Sequence, residues 1–481
     1  MRYKFYSLIL ILAISVSARA QEKWGLLKCV EYAMTNNISV KQTDLQARIA
    51  ELQLKQSKLG QLPNFNFSGG PAFTNGRSQD PTTFSLITQS YISANMQLQS
   101  SADIFNWFSK RNTIAANEWE LQAAKANTDK LKNDIALTVA NAYLQILLAK
   151  EQEKIAAIQL QQSQAQLSNT RKLVDAGALP ELNAAELEAQ VARDSATLIS
   201  AKGLVQQNIL TIKAYMALDA ATPFEVDTPP VDKIPVEKIA DLQPEAVYAS
   251  AIANMPQQKF NDFKIKAAEK SSAAAKGNLY PSLSAFGSLN SSYIAAKTPT
   301  YDRIFSTYIP TGFKTDVNGT LYDVYTPTYT QGARNGYSRT DAFGNQLNQN
   351  FRQSVGLSLN IPIFNGYNSR TVYERSRINI RSLQLQKDLD NQSLKQNIYQ
   401  AYNAATVALQ KFNAGKKAME TAERTYGFAQ KRYDVGLMST FELITNQNNV
   451  FRTRLENALN QFDYVFKMKV LEFYKGQGLK L

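Results

Sequence analysis

The chain has 481 residues, 44% of them apolar, with only 21 glycines and 15 prolines, a composition that allows a large core and favours long uninterrupted helices. It has no histidine and one cysteine, Cys29, which excludes histidine-based triads, histidine metal sites, cysteine clusters and an intrachain disulfide. The net charge of +13 in an exported chain suits anionic lipid, lipopolysaccharide or cell-wall polymer as neighbours rather than nucleic acid.

Export is read from residues 1–20. Arg2 and Lys4 supply a positive end, Leu8 to Ile14 an apolar stretch, and Ala18-Arg19-Ala20 a small-x-small cleavage site, so the mature chain is expected to begin at Gln21. No other run approaches ~20 apolar residues, so no transmembrane helix is expected, and a membrane crossing would require a closed β-barrel.

The first half, 21–218, is predicted to run as a helical stretch over 26–60, two strand-like stretches, a very long helix over 109–176 and a return helix over 181–218. Residues 109–176 contain neither Gly nor Pro, and the helix runs into the turn Asp175-Ala176-Gly177. Ile135, Val139, Ala142, Ile146 and Ala149 fall at 4-3-4-3 spacing, the seam of a coiled coil. At 1.5 Å per residue, Phe105 to Asp175 rises about 100 Å. In 92–104, Ile92, Ala94, Met96, Leu98, Ala102 and Ile104 alternate with polar residues, which gives a strand with one oily and one wet face. Phe65-Asn66-Phe67-Ser68 would be its partner, after the Leu62-Pro63 entry.

A Pro-rich linker, 219–240, carries Pro223, Pro229, Pro230 and Pro235 and leads to a second half, 241–481, with the same order. Ile104-Phe105-Asn106, Ala142-Tyr143 and Asp175-Ala176-Gly177 recur 259 residues later as Ile363-Phe364-Asn365, Ala401-Tyr402 and Asp434-Val435-Gly436. Upstream, Ala33, Asn36, Ala50-Glu51 and Pro63 recur at an offset of 218, so the second half holds 41 extra residues between Pro281 and Phe364. Leu394, Ile398, Ala401, Ala405 and Ala408 repeat the apolar seam, and Val355, Leu357, Leu359, Ile361 and Ile363 the alternation, facing Leu283-Ser284-Ala285-Phe286. The Tyr-, Thr-, Asn- and Gly-rich stretch 294–350 reads as a long outer loop, either folded over a mouth, binding something at the surface, or merely solvated.

Four strands cannot close a barrel alone, since small barrels need about eight, and an open edge cannot sit in lipid. The chain must then oligomerise. Three copies would supply twelve strands. The expected fold class is mainly α with a transmembrane β-barrel contribution: two tandem repeats of long coiled-coil hairpins with four β-strands per chain, in a trimeric duct.

This arrangement resembles the TolC-like outer-membrane factors from about Leu26 to Tyr474. The resemblance rests on the tandem halves, the Leu62-Pro63 entry, the Ile-Phe-Asn exits and the paired turns. The second turn, Tyr433 to Leu443, is similar to the family's turn at the inner tip of its tunnel. The resemblance implies a homotrimer with a twelve-stranded barrel among outer-membrane lipids and a twelve-helix periplasmic tunnel. It also implies docking on a periplasmic membrane-fusion adaptor and an inner-membrane transporter. The docking tips would be Asp175, Gly177 and Leu179 in the first half and Asp434, Gly436, Leu437 and Met438 in the second. Some members carry an acidic ring past the second turn. Glu442 stands at the first such position, Thr445 at the second, and Asn446 one turn after Glu442, so Glu442 and Asn446 become candidate inner-gate residues. Two readings of Glu442 stand side by side: a pore carboxylate and a residue favouring a helix N-terminus. The turn glycines are equally read as plain hairpin turns.

No P-loop or Rossmann glycine pattern is present; no cofactor, bound metal or catalytic activity is expected. The competing readings are a secreted or surface-associated helical scaffold or adhesin, a helical-hairpin adaptor of the same pump and, more distantly, an enzyme.

Overall fold

The structure, a computed structural model, describes residues 23–79, 86–230, 234–338 and 340–476. The expected signal segment, 1–20, lies outside the described residues. The chain divides into two units. One holds the described residues up to Lys55, Ile114–Ser272 and Glu374 onward; the other holds Gln56–Thr113 and Ala273–Tyr373.

Helices dominate. In chain order they are α1 (Leu26–Asn36), α2 (Ile38–Leu59), α3 (Ser109–Asp175), α4 (Glu181–Met216), α5 (Pro244–Asn254), α6 (Pro256–Gly277), a short α7 (Phe343–Gln349), α8 (Asn368–Asp434) and α9 (Thr440–Lys475). The two sequence offsets reappear in these bounds: α1 and α2 shifted by 218 give α5 and α6, and α3 and α4 shifted by 259 give α8 and α9. Short helices are joined without a loop. Asn37 ends α1 and caps α2, its Oδ1 accepting from the Ser39 and Val40 amides at 2.9 and 3.4 Å. At the matching joint Pro256 opens α6, where its missing N–H costs nothing.

The core of the helical unit lies along the predicted seams. Val139, Ala142, Ile146 and Ala149 are buried, and Val139, Ala142 and Ile146 pack with Leu26, Cys29, Val30 and Ala33 of α1 and Ile212 and Met216 of α4. A second cluster uses the matching positions Val247, Ala251, Ile398, Ala405 and Leu471. Cys29 is fully buried, and burial pushes its thiol up to about 12, so it stays neutral and serves as a small apolar filler.

The linker is strapped down. Val226 bridges to Trp24, and the Tyr143 hydroxyl donates to the Asp227 carbonyl at 2.7 Å. Lys213 donates to the carbonyls of Ala220 and Thr222 at 2.9 and 2.6 Å. At the matching position of α9 stands Glu472, which accepts from the Glu237 amide and pairs with Lys469, both at 2.8 Å. One position per half thus holds the linker, with a cation in one and a carboxylate in the other.

The other unit is built on an antiparallel sheet in the order β1-β2-β3-β6, with β1 (Asn64–Gln79), β2 (Leu86–Phe105), β3 (Ser282–Ala296) and β6 (Arg352–Asn360). Directly paired residues share a face, so the register sorts the side chains. Leu98 stands between Phe67 and Leu289, and Ala285 between Ala102 and Leu357; the neighbouring Gln97 stands between Ser68 and Asn290. One face therefore carries Phe65, Phe67, Phe73, Ile92, Met96, Leu98, Leu283, Leu289, Val355, Leu357 and Leu359. The other carries mostly Asn, Gln and Ser. Phe286 and Tyr91 are aromatic residues on the polar face, and Phe286 is the exposed one of the two. The Phe286 ring lies over Gly356, where an added Cβ would come within 2.7 Å of it. The apolar face has no core behind it: Phe67 is 70% exposed and Val355 90%. Among the described residues, β1 and β6 each have one edge with no strand partner.

The stretch 294–350 is not a loop. It holds a hairpin, β4 (Thr298–Val317) and β5 (Thr320–Ser338), followed by α7, so the described residues contain six strands rather than the expected four. The turn is Asn318-Gly319, both residues left-handed, and the Asp316 carboxylate accepts from the Gly319 amide at 2.7 Å. Thr and Tyr favour strands. Prolines 299, 310 and 327 and several register shifts interrupt its edges, which keeps the ribbon two-stranded. Where β6 stops, α7 takes over the β3 edge. The Gln346 side-chain amide both donates to the Ile294 carbonyl and accepts from its N–H, each at 3.0 Å, standing in for a strand residue.

Candidate functional site at the helix-hairpin tips

The helical unit ends in two reversals, α3 into α4 and α8 into α9, built alike. Gly177 and Gly436 have φ of +74° and +78°. In the first, the Gly177 amide donates to the Val174 carbonyl and the Ala178 amide to the Leu173 carbonyl, both at 2.8 Å. In the second, Gly436 donates to Tyr433 at 2.9 Å and Leu437 to Arg432 at 2.8 Å. This is the double closure that satisfies the last carbonyls of a helix, and it needs a left-handed residue after the last turn. A Cβ at Gly436 would meet nothing within 4 Å, so only the backbone resists substitution. Gly436→Ala is expected to destabilise the second reversal by about 1–2 kcal/mol, seen as faster amide exchange over 430–444, while Gly436→Asn loses less because Asn tolerates this conformation.

The two starts differ. Pro180 precedes α4 without a side-chain cap. Ser439 caps α9 in a reciprocal box: its hydroxyl accepts from the Glu442 amide at 3.2 Å, and the Glu442 carboxylate accepts from the Ser439 amide at 3.1 Å. The Ser439 backbone N–H, then its hydroxyl, and more weakly the Arg432 charge hold the exposed Glu442 carboxyl below the usual range. A depressed carboxyl stabilises above its ordinary range, and that contribution is lost as pH falls through the lowered value. Asn446, one turn on, donates to the Glu442 carbonyl at 2.8 Å.

Of the predicted tip residues, Asp175, Gly177, Asp434, Gly436 and Leu437 are exposed, and Leu179 and Met438 are half-buried. Met438 packs against Ala429, Tyr433 and Leu443. Phe441, which the motif reading passed over, is 70% exposed, and with exposed Val435 and Leu437, where the first tip has Ala176 and Ala178, it makes the second tip the more apolar one. Tyr433 joins the two reversals: its hydroxyl lies 3.1 Å from Thr170 Oγ1 on α3 and 3.3 Å from Thr440 Oγ1 on α9.

Deeper along the helices is a buried polar layer. Gln159, Ser163, Gln166 and Thr170 continue the α3 seam at 4-3-4 spacing, all buried. Asp194 of α4 accepts from the Ser163 hydroxyl and, at 2.9 Å, from Gln190 Nε2. Gln447 of α9 donates to Ser163 Oγ at 3.1 Å, and Gln190 donates to Asn448 at the same distance. Ser163, Gln190, Asp194 and Gln447 carry no sequence mark that separates them from the wet faces of the same helices. Only the meeting of α3, α4 and α9 shows them.

The family described as Outer membrane efflux protein matches residues 30–218 and 247–467. The outer membrane efflux protein BepC of Brucella suis biovar 1 (strain 1330) is 20% identical over 375 residues, 76% of this chain and 69% of BepC. The crystal structure of CusC, described for transmembrane channel formation, superposes with a TM-score of 0.72 at 14% identity over 95% of each chain. The Campylobacter jejuni CmeC outer membrane channel gives 0.70 at 16% identity, over 95% of this chain and 86% of CmeC. The chain belongs to the outer membrane efflux protein family and is an efflux protein of the outer membrane.

Proposed function

We propose that three copies close one duct, with the four-stranded sheets forming a twelve-stranded barrel in the outer membrane and the helical hairpins a periplasmic tunnel. The observation that carries this is the sheet: one face apolar and uncovered, one face polar, and an unpaired edge on each side. Lipid has no hydrogen bonds to offer those edges, so they must pair with another copy. The duct is a passive conduit. A periplasmic adaptor docks on the hairpin tips, and an inner-membrane transporter supplies the energy. An exposed carboxylate at the C-terminal end of a helix opposes the helix dipole, and Asp175 and Asp434 stand there at both tips; contact with a partner gives them a use. The scaffold or adhesin reading has no observation in its favour.

The test is conductance of the detergent-purified protein in a planar bilayer, with its oligomeric mass measured alongside. Discrete steps from a trimer support the duct, and a monomer that never inserts overturns it.

Glu442 is proposed to line the inner constriction with Asn446. Because Glu442 also caps α9, Glu442→Gln is the informative variant: glutamine keeps the box and removes the charge. Cation selectivity is expected to fall while the melting temperature holds. Unchanged selectivity would leave Glu442 as a cap alone.

A further inference from the structure

A duct has no need of the β4–β5 ribbon, which only the second half of the chain carries. Lys297 alone separates it from β3, so it starts at the end of the sheet opposite the helices. Its strands have 20 and 19 residues and, at about 3.3 Å per residue, reach roughly 60 Å. Each strand packs against the other and against little else. From Tyr301 to Thr330 every residue is exposed except Thr311 and Thr328, which are half-buried. A two-stranded ribbon is marginal in water by itself, and an uncovered aromatic surface on one calls for a partner.

The register sorts the ribbon into two unlike faces. Phe305 stands opposite Tyr329, Tyr308 opposite Pro327 and Pro310 opposite Tyr325, so these six side chains form one stripe. The Phe305 ring lies 5.1 Å from that of Tyr308 and 6.2 Å from that of Tyr329. All four rings of the stripe are at least half exposed. Threonines dominate the other face, with Thr307 opposite Thr328 and Thr315 opposite Tyr322. There the Thr328 hydroxyl donates to the Thr307 carbonyl at 2.8 Å and the Thr330 hydroxyl to the Ile304 carbonyl at 3.4 Å. The threonine face thus spends hydroxyls on its own backbone. The hydroxyls of Tyr308, Tyr325 and Tyr329, by contrast, have no partner among the described residues.

We propose that the aromatic stripe of the β4–β5 ribbon is a saccharide-binding surface, and that its ligand is the neutral hexose chain of lipopolysaccharide. It rests on the barrel reading above, which puts the ribbon outside the cell. Sugar chains stand above the acyl chains of the outer leaflet, and a ribbon of this length runs among them. Charge fits a neutral ligand. Although the whole chain is at +13, residues 298–338 hold three cations, Arg303, Lys314 and Arg334, against three anions, Asp302, Asp316 and Asp323. Nothing there draws phosphate or an acidic peptide. A pyranose offers an apolar C–H face rimmed by hydroxyls. Tyrosine matches it, with a large rigid ring for the face and a polar tip for the rim. A second copy of the stripe would cover the rings but leave their hydroxyls without partners.

The test runs the full-length, detergent-purified protein on native gels cast with lipid-free O-chain polysaccharide, released from lipopolysaccharide by mild acid. The polysaccharide is expected to retard the parent protein. Tyr308→Ala, Tyr325→Ala and Tyr329→Ala together are expected to raise the concentration for half retardation by more than about tenfold. Tyr322→Ala, the same residue type on the other face, is expected to leave it unchanged. An unretarded parent, or equal loss in both variants, overturns the saccharide surface. Ser306→Cys reports the barrel separately, because Cys29 is fully buried and does not compete for label. Reaction of Ser306→Cys with a membrane-impermeant maleimide on intact cells supports a ribbon outside the cell, so an unretarded parent would then count against the saccharide and not the barrel. Reaction only after lysis overturns the barrel reading, and the proposal with it. A disulfide between copies at Tyr308→Cys that polysaccharide does not suppress would put the stripe against a second copy and overturn the proposal.

Discussion

Lysine in place of Leu98 is expected to prevent stable insertion into the outer membrane, whereas lysine in place of the adjacent Gln97 leaves insertion intact. Leu98 lies near the middle of β2, between Phe67 and Leu289. Its neighbours on that face are apolar and uncovered by the chain. A lysine near the bilayer midplane costs about 2–4 kcal/mol per copy, and so about 6–12 kcal/mol in a three-copy barrel. Gln97 lies between Ser68 and Asn290 on the polar face, where a cation stays in water. The measurement is the fraction of protein resisting urea extraction from outer-membrane preparations. One residue of register separates the two variants, so equal extraction of both would show that the faces are assigned wrongly.

The helical half of this architecture was legible because it obeys a period. The spacing of Val139, Ala142, Ile146 and Ala149 names the buried stripe of α3, and the same stripe recurs at Ile398, Ala405 and Ala408 of α8. The alternation in 92–104 likewise gave β2 and its two faces. The stretch 294–350 was misread because it stands in one half only, so comparison of the halves leaves it without a template. Its local signal was nonetheless present: Asn318-Gly319 between Thr- and Tyr-rich runs is a strong two-residue hairpin mark. Tip reversals could be placed from Asp-x-Gly after two equal helices, but the packing of Met438 could not, since it depends on Ala429 and Tyr433 of α8 and Leu443 of α9. Trp107 and Phe108 look like ordinary aromatic residues at a strand end until their left-handed backbone is seen.

The buried polar layer is the least legible feature and supports the second large effect. Asp194→Ala is expected to lower the stability of the helical unit by about 1–3 kcal/mol, because it removes the acceptor shared by two buried donors, leaving one Gln190 N–H unpaired and the Ser163 hydroxyl with only the Gln159 carbonyl at 3.1 Å. The loss should spread, since Ser163 also accepts from Gln447, and Gln190 accepts from Arg193 at 2.8 Å and donates to Asn448. Asp194→Asn should lose less: it keeps an acceptor oxygen for one donor, and the Ser163 hydroxyl can turn to accept from the new amide. Thermal unfolding of the detergent-purified protein, with amide exchange over 185–200 and 440–455, reads both. The converse variant separates a stabilising role from a specifying one. Ser163→Ala, Asp194→Leu and Gln447→Leu together remove three connected members of the layer and leave the Gln190 amide with Asn448 as its acceptor, so most of the lost melting temperature should be recovered. If the triple variant instead melts as low as Asp194→Ala, the layer stabilises through its hydrogen bonds, and its part in fixing the register of α3, α4 and α9 is secondary.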